Sequence, residues 1–318
     1  MKRVFMKPKI FTVIIFCIFA GNLFSQPTIV NQKTIGGNGG DNLQDICLTN
    51  DGGIIVGGYS NSGSSGEKTK KSRGVYDYWV VKLNKHQKIQ WNKTIGGSSL
   101  DELTAVQQTS DGGYILGGFS NSKISGEKTQ ATRGGYDYWI VKLDSSGSIE
   151  WDKTIGGNSD DELNSLQQTS DGGYILGGTS YSGISGEKSQ RSRGVTDYWI
   201  VKVDNVGNIQ WDKTVGGNGY DNLHSLQQTN DSGFILGGAS TSGLSGEKTE
   251  NNEGNYDYWI VKLNENGHIQ WDKTIGGNGY DNLYSINEIS KNHYAMGGGS
   301  FSGISFDKTD TSRGSSDY

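Results

Sequence analysis

The chain has 318 residues, of which 50 are glycine and two are proline, and its formal net charge is −5 at pH 7. Eight Trp and 16 Tyr residues provide large side chains for a core, so the composition argues against a disordered chain and favours short strands joined by tight turns. Because no basic stretch is interleaved with aromatic residues, the sequence predicts no nucleic-acid partner.

Residues 1–25 differ from the rest of the chain. The basic residues at the start are Lys2, Arg3, Lys7 and Lys9. An apolar run from Ile10 to Ala20 follows, and it is too short to span a bilayer comfortably. We therefore predict a secretory signal peptide, with an uncleaved anchor as the alternative. Cleavage would remove four of 29 basic and none of 34 acidic residues, changing the net charge from −5 to −9. The predicted location is extracellular or at the cell surface, without a transmembrane segment after signal removal.

The remaining residues, 26–318, form one domain of regular repeats. The motif KTIGG, with one KTVGG variant, begins at Lys33, Lys93, Lys153, Lys213 and Lys273. The motif DYW begins at Asp77, Asp137, Asp197 and Asp257. Both motifs recur every 60 residues, which predicts one supersecondary unit stacked on near-copies of itself.

Each unit contains four strand-like segments. In the second unit they are residues 103–109, 114–120, 137–144 and 149–157. In the third segment Trp139, Val141 and Leu143 share one face, and the intervening residues are mainly apolar too, as expected of a strand between two sheets. Asp111-Gly112 and Ser146-Gly147 lie where tight hairpins need a positive φ.

This pattern predicts an all-β fold, a β-propeller of four-stranded antiparallel blades. A β-solenoid is the alternative, but its strands are parallel whereas hairpin turns make these antiparallel. The predicted blades span residues 43–97, 103–157, 163–217 and 223–277, with an incomplete fifth at 283–318. Residues 27–37 are a candidate closing strand. The incomplete last unit suggests a fragment of a longer protein.

The end of each unit also resembles known repeats. Leu143, Asp144, Gly147 and Trp151 form an LDxxGxxxW pattern that resembles bacterial secreted β-propeller repeats and NHL-type or quinoprotein-like blades. The unit ending at Trp271 matches as well, with Asn264 in the Asp position. The resemblance covers nearly all of residues 32–318. It implies the fold far more specifically than the function, because propellers host lectins, enzymes and protein-binding hubs.

Alternating strand direction places both hairpins of a unit on one face and the longer connections on the other. Loops held by a rigid scaffold often bind ligands, so the long-loop face is the candidate binding surface. Its candidate residues are Asp101, Asp161, Asp221, Asp281, Glu127, Glu187, Glu247, Arg133 and Arg193. Lys128, Lys188 and Lys248 belong to the same face. The structural alternative is that Asp side chains fix turns and that the other charges are solvated surface.

No cofactor is predicted. A calcium site built from paired acids such as Asp160 and Asp161 is the alternative, but hard cations need six or more oxygen ligands and no EF-type spacing supplies them. Cys47 is the only cysteine after residue 25, which excludes an intramolecular disulfide. The four histidines are at unrelated repeat positions, which argues against a shared metal ring.

Two series of tryptophans recur in the repeats. Trp79, Trp139, Trp199 and Trp259 alternate with apolar residues and are predicted core. Trp91, Trp151, Trp211 and Trp271 resemble tryptophans that dock neighbouring quinoprotein-like blades. An exposed platform that stacks against sugars is the alternative for these large aromatic side chains.

The sequence favours a secreted, non-enzymatic propeller that acts as a binding or adhesion scaffold for a protein or glycan. Near-identical blades would present one patch several times and gain avidity. Catalysis has little support, because the chain lacks a nucleophile elbow, an HExxH motif and a Walker loop. The alternative is an endoglucanase-like enzyme, or its accessory module, that acts on polysaccharide through carboxylates from different blades.

Overall fold

The computed structural model describes residues 32–318. The predicted signal peptide and the first part of the candidate closing strand lie outside the described residues. Residues 32–318 form 18 β-strands and no helix, so this part of the chain contains no helix that is long and apolar enough to cross a membrane. The prediction of an all-β fold is confirmed.

The strands form four sheets of four strands and one sheet of two strands in the described residues. The first sheet comprises β1 (Asp41–Leu48), β2 (Ile54–Ser60), β3 (Asp77–Leu83) and β4 (Ile89–Ile95). The second comprises β5 (Asp101–Gln108), β6 (Tyr114–Ser120), β7 (Asp137–Leu143) and β8 (Ile149–Ile155). The third comprises β9 (Asp161–Gln168), β10 (Tyr174–Ser180), β11 (Asp197–Val203) and β12 (Ile209–Val215).

The fourth and last sheets follow the same order. The fourth comprises β13 (Asp221–Gln228), β14 (Phe234–Ser240), β15 (Asp257–Leu263) and β16 (Ile269–Ile275). The last comprises β17 (Asp281–Ser290) and β18 (His293–Ser300). Strands pair antiparallel in sequence order within every sheet, which disagrees with the parallel strands of a solenoid. Past β18, Asp317 bridges back to Ser300 where a third strand would begin.

Tight hairpins join the first two strands of each sheet. Between β5 and β6, the N–H of Thr109 donates to the carbonyl oxygen of Gly113 at 3.0 Å. Gly112 between them has φ 83°, a left-handed conformation that glycine adopts without a Cβ clash. Asp111 accepts a hydrogen bond from the N–H of Gly113 at 2.9 Å. The predicted Asp-Gly hairpin is confirmed.

Neighbouring sheets approach closely at a glycine of the second strand. A Cβ built on Gly177 of β10 would lie 2.6 Å from Cδ2 of Leu223 and 2.9 Å from Cδ1 of Leu226, both on β13. These distances leave no room for a side chain, so the glycine keeps the strand narrow where the next sheet packs. Gly57, Gly117 and Gly237 receive the corresponding pair of residues from the following sheet.

The third strand of each complete sheet lies at the centre of the core. Every residue of β7 is buried. Trp139 packs in one cluster with Tyr78 of the first sheet, whereas Tyr138 packs in another cluster with Trp199 of the third. The two faces therefore contact two different sheets, as the alternation in the sequence predicts.

The sheets converge at their first strands. Each first strand contacts the first three strands of the preceding sheet, as β5 does with β1, β2 and β3. Within residues 32–318, the sheets do not close into a ring. Residues 32–37 form no strand, and Ile35 packs against Trp79 of the first sheet. The fold is thus an open series of repeated antiparallel sheets.

Candidate functional site

The long loop of each sheet joins its second and third strands, and a shorter connection leads to the next sheet. These two segments lie together. Ser125 of the second long loop accepts a hydrogen bond on Oγ from the N–H of Ser98 at 2.8 Å. The N–H of Glu127 donates to the carbonyl oxygen of Gly96 at 3.2 Å. The second long loop and the connection that precedes its sheet therefore lie side by side.

The candidate aspartates of this face are buried inside it. The exposed fractions of Asp101, Asp161, Asp221 and Asp281 are 0%, 0%, 0% and 3%. Asp101 accepts hydrogen bonds on Oδ2 from the N–H of Gly97 at 2.7 Å and from Ser122 Oγ at 3.0 Å. Burial raises the pKa of this carboxyl group, although hydrogen bonds from Ser120, Gly97 and Ser122 oppose the change. In this structure the aspartates hold the connection in place.

The candidate glutamates and arginines pair between neighbouring long loops. Arg73 of the first loop contacts Glu127 of the second at 2.5 Å. The same pairing joins Arg133 to Glu187 and Arg193 to Glu247. Each glutamate also accepts an N–H from the connection, as from Gly96, Gly156 and Gly216. We call each such pair a clamp. Arg73 is absent from the sequence prediction, although its 60-residue spacing from Arg133 could have revealed it.

The clamp is missing between the fourth and last sheets. Glu253 and Asp307 occupy the positions of Arg193 and Glu247 one repeat later. Two acidic residues replace the ion pair, and a groove of about 510 Å³ is present here, with Phe306 and Leu244 among its lining residues. The repeats therefore differ in how firmly their loops are joined.

The candidate lysines are interior groups. Lys128, Lys188 and Lys248 are at most 2% exposed, and their Nζ atoms lie 5.1, 5.7 and 5.4 Å from the ring centres of Trp139, Trp199 and Trp259. Burial lowers the pKa of each of these lysines to about 8, against the opposing charge of nearby aspartates. Lys128 also donates to Thr154 Oγ1 at 2.7 Å. These side chains support the loops from within.

The second tryptophan series joins neighbouring sheets. Trp91, Trp151 and Trp211 pack edge-on against Tyr114, Tyr174 and Phe234 of the following sheet, at centroid distances of 5.5, 6.0 and 5.9 Å. The predicted docking role is confirmed. The first series is buried as predicted, and the Nε1 atoms of Trp139 and Trp199 donate to the carboxylates of Asp152 and Asp212.

One aliphatic side chain projects from each of four long loops. Ile124, Ile184, Leu244 and Ile304 are 67%, 64%, 66% and 62% exposed. They occupy one repeat position, where the first loop has Ser64. Because a serine near the start of each loop donates a hydrogen bond to a buried aspartate, the four side chains are presented on a similar support. We call them the aliphatic tips.

Sequence reasoning missed a pair of carboxylates near the convergence of the first strands. Glu102 of β5 and Glu162 of β9 occupy the same repeat position, and both are half-buried. Burial and the charge of Glu162 raise the pKa of Glu102. Burial and the charge of Asp160 raise the pKa of Glu162. Residues 32–318 provide neither carboxylate with a hydrogen-bond donor.

A comparison of the repeats could have revealed this pair. The other repeats have Asn42, Asn222 and Asn282 at the position of Glu102. Two consecutive repeats therefore have a carboxylate at a position where the other three have an amide. The charge of Glu102 also raises the pKa of Tyr136, after burial of that ring, so a phenol lies in the same region.

The described residues contain no group of three or more His, Cys, Asp or Glu placed to hold a metal ion. The carboxylates weighed for calcium have separate partners. Asp160 accepts a hydrogen bond on Oδ1 from the N–H of Tyr136 at 2.9 Å. Asp161 accepts one on Oδ2 from the N–H of Gly157 at 2.7 Å.

Comparison with solved structures gives distant likenesses. No family model and no curated protein matches the chain. A Bacteroides caccae protein of unknown function is 10% identical at a TM-score of 0.27, covering 73% of this chain and 81% of that one. A variant of the Synechocystis apocarotenoid oxygenase is 10% identical at 0.43, covering 82% and 56%. The Kuenenia stuttgartiensis hydrazine synthase is 11% identical at 0.37, covering 83% and 73%. Likenesses at this level carry no argument about function.

Proposed function

We propose that the sheets are blades of a secreted or cell-surface β-propeller and that the protein is a non-enzymatic scaffold for binding a protein or glycan. The observation that carries this proposal is the set of aliphatic tips, one on each of four supported loops. Single exposed apolar residues are ordinary on protein surfaces. Four at one repeat position form a recurring contact element, which supports multivalent binding.

The proposed contact is apolar because the candidate aspartates, glutamates and arginines of this face already have partners or are buried. The clamps use the arginines and glutamates, and burial removes the aspartates from solvent. Each tip would add a weak contact, and a ligand with repeated elements would engage several tips at once. Affinity would therefore rise steeply with the number of tips that it engages.

The test screens the labelled protein on an array of glycans and extracellular proteins, and then compares variants on every ligand found. The test variant replaces all four tips, Ile124, Ile184, Leu244 and Ile304, by serine, which the first loop carries naturally at Ser64. The control is Val206→Ser, because Val206 is 49% exposed on a hairpin of the opposite face.

We expect the fourfold variant to bind at least tenfold more weakly, with an unchanged thermal transition. The Val206→Ser control should bind like the original protein. Equal binding by the fourfold variant, or no bound ligand of either class, contradicts the proposal.

The alternative is a propeller enzyme, or an accessory module, that acts on polysaccharide. The carboxylates of Glu102 and Glu162 favour it, because both pKa values are raised and glycoside hydrolysis uses a pair of carboxyl groups. Glu102→Gln and Glu162→Gln should each abolish any polysaccharide turnover. Amides at Asn42 and Asn222 indicate that the fold accepts such residues. Unchanged turnover in both variants contradicts this alternative.

A further inference from the structure

The first sheet has an apolar face that no described residue covers fully. Leu43 and Ile46 of β1 are 59% and 53% exposed. At the same repeat positions, Leu223 and Leu226 are 0% and 6% exposed because they pack on the preceding sheet. The exposed pair therefore matches a packing element that is used at every internal interface.

A cavity of about 350 Å³ lies on this face, and Trp79, Val81 and Leu83 of β3 line its floor. Ile35 packs against the same three side chains. The floor corresponds to the face of β7 that packs on the first sheet. At an internal interface, the preceding sheet covers both the projecting residues and the floor. In the first sheet, no preceding sheet is present within residues 32–318.

The last sheet has the complementary surface. A Cβ built on Gly297 of β18 would have no heavy atom within 4 Å, whereas one on Gly237 would lie 2.6 Å from Cδ2 of Leu283. At each internal interface, the glycine at this repeat position contacts a leucine of the following sheet. Gly297 has no such contact within residues 32–318. The surface is uncovered within residues 32–318.

Polar side chains of the last sheet lie at the repeat positions that accept hydrogen bonds across the internal interfaces. Internally, Ser225 Oγ accepts a hydrogen bond from the N–H of Ile286 at 3.2 Å, and Gln227 accepts one from the N–H of Glu288 at 2.6 Å. One repeat later, the corresponding acceptors are the exposed Ser285 and Asn287. They would meet the N–H groups of Ile46 and of Leu48 if β1 packed on β17 in the internal manner. In the single chain the N–H of Ile46 donates to Asp45 Oδ1 at 2.8 Å, so this hydrogen bond would change partner.

From this complementarity we infer that the first sheet of one copy docks on the last sheet of a second copy, head to tail. In this contact, Leu43 and Ile46 pack against Gly297 of the second copy. Ser285 and Asn287 of that copy accept hydrogen bonds from the backbone of β1. This contact would continue the interface that already joins each pair of consecutive sheets in the described chain. Such a heterologous contact produces rings or open chains rather than a symmetric pair. The inference does not depend on the ligand proposed for the loop face, and it uses between copies the two end sheets that would pack on each other in a propeller closed within one chain.

Light scattering during gel filtration of the purified full chain tests the inference over roughly a hundredfold range of concentration, which brackets a moderate affinity. The mass should rise with concentration. The variant L43D/I46D should remain a monomer, because its first face is charged. Gly297→Leu should also remain a monomer, because the added side chain fills the receiving surface. All three substituted positions are exposed or open, so folding should be retained.

Mixing the two variants separates specific docking from aggregation. Each variant retains one intact face, so an equimolar mixture should form a dimer and nothing larger. Val206→Asp, at an exposed hairpin position outside both faces, should associate like the original chain. A monomer at every concentration, from coverage by residues 1–31 or any other cause, overturns the inference. Association of the single variants, or failure of the mixture to form dimers, overturns it as well.

Discussion

The first strand of the first sheet and the first strands of the inner sheets have the same design but different surroundings. β1 and β5 both begin with an aspartate that accepts the N–H of a glycine four residues earlier and two serine hydroxyls. The pKa of Asp41 is lowered, because those hydrogen bonds outweigh the effect of burial. The pKa of Asp101 is raised, because burial dominates. The same set of hydrogen bonds therefore accompanies a lowered pKa in β1 and a raised pKa in β5.

The difference separates the features that a repeat forms by itself from the features that depend on packing against a neighbouring repeat. β1 and β9 pair with their second strands in the same register, with a bulge at the same position. Leu43 is nevertheless 59% exposed, whereas Leu163 is 0% exposed. Hydrogen bonding within a sheet forms the strand, and the preceding sheet supplies the burial. Stability should therefore depend on the interfaces between sheets, as in other repeat proteins.

The largest expected effect is on the leucine at an internal interface. Leu223→Ala removes a fully buried side chain that packs on Gly177, so it should reduce the free energy of unfolding by about 4 kcal/mol. Leu43→Ala changes an exposed side chain at the same repeat position, and its effect should stay below about 1 kcal/mol. Urea denaturation of dilute protein measures both. Equal losses would falsify the claim that neighbouring sheets provide the burial.

A side chain added to the second strand tests the same interface from the opposite surface. Gly177→Leu would force Leu223 and Leu226 aside, because a Cβ alone would lie 2.6 Å and 2.9 Å from them. We expect a loss of about 3 kcal/mol from overpacking. Gly297→Leu, at the uncovered end, should be close to neutral in dilute protein. Thermal and urea unfolding of both variants provide the measurement, and a large loss in Gly297→Leu contradicts the comparison.

Asp137, which is buried at the start of β7 in the second sheet, and Asp41, which is half-buried at the start of β1, should give opposite pH dependences. Burial and the charge of Asp161 raise the pKa of Asp137 from 3.8 to about 6, although the N–H of Arg133 opposes the change. The folded state therefore holds this proton more tightly than the unfolded state. The associated stability is present below pH 3.8 and is lost as the pH rises to about 6. Asp137→Asn should remove this decline, a difference of about 3 kcal/mol.

Asp41 has the opposite sign because its folded pKa is lowered. Its contribution is present above the unfolded pKa and is lost as the pH falls through the folded value. Asp41→Asn should therefore lose stability relative to the original protein as the pH rises. Urea titrations at several pH values between acid and neutral measure both variants. Parallel pH profiles in the two variants would exclude burial as the cause of the difference.

Much of the fold follows from local pattern. The 60-residue period and the turn residues predicted the strands, the hairpins and the two-sided burial of the third strands. Tertiary packing decided what the pattern could not show. From the sequence, Lys128 is expected to be a surface charge. In the structure, the long loop folds inward and places the ammonium group of Lys128 over Trp139. The buried position of Asp101 has the same origin, since the connection and the long loop enclose it.

The candidate site was less predictable because its informative residues are departures from the repeat. Glu102 and Glu162 are conspicuous only beside the asparagines of the other units. Phe306 takes φ 51° where the other loops have glycines such as Gly246. A search for shared motifs selects what all units have in common, and here those residues mostly stabilise the fold. Position-by-position comparison of the units finds the exceptions.

The smallest expected effect concerns two inner hairpins that differ at the residue in the left-handed conformation. Ser232 has φ 64° between β13 and β14, where Gly172 occupies the same position between β9 and β10. A side chain in this left-handed region carries a steric cost that glycine avoids, and the freedom of glycine in the unfolded chain offsets part of the gain. Ser232→Gly should therefore increase the free energy of unfolding by about 0.5–1 kcal/mol. Gly172→Ser should cause a loss of similar size, and thermal unfolding of both variants measures the pair. A loss of stability in Ser232→Gly would show that the serine hydroxyl contributes more to this hairpin than its backbone strain costs.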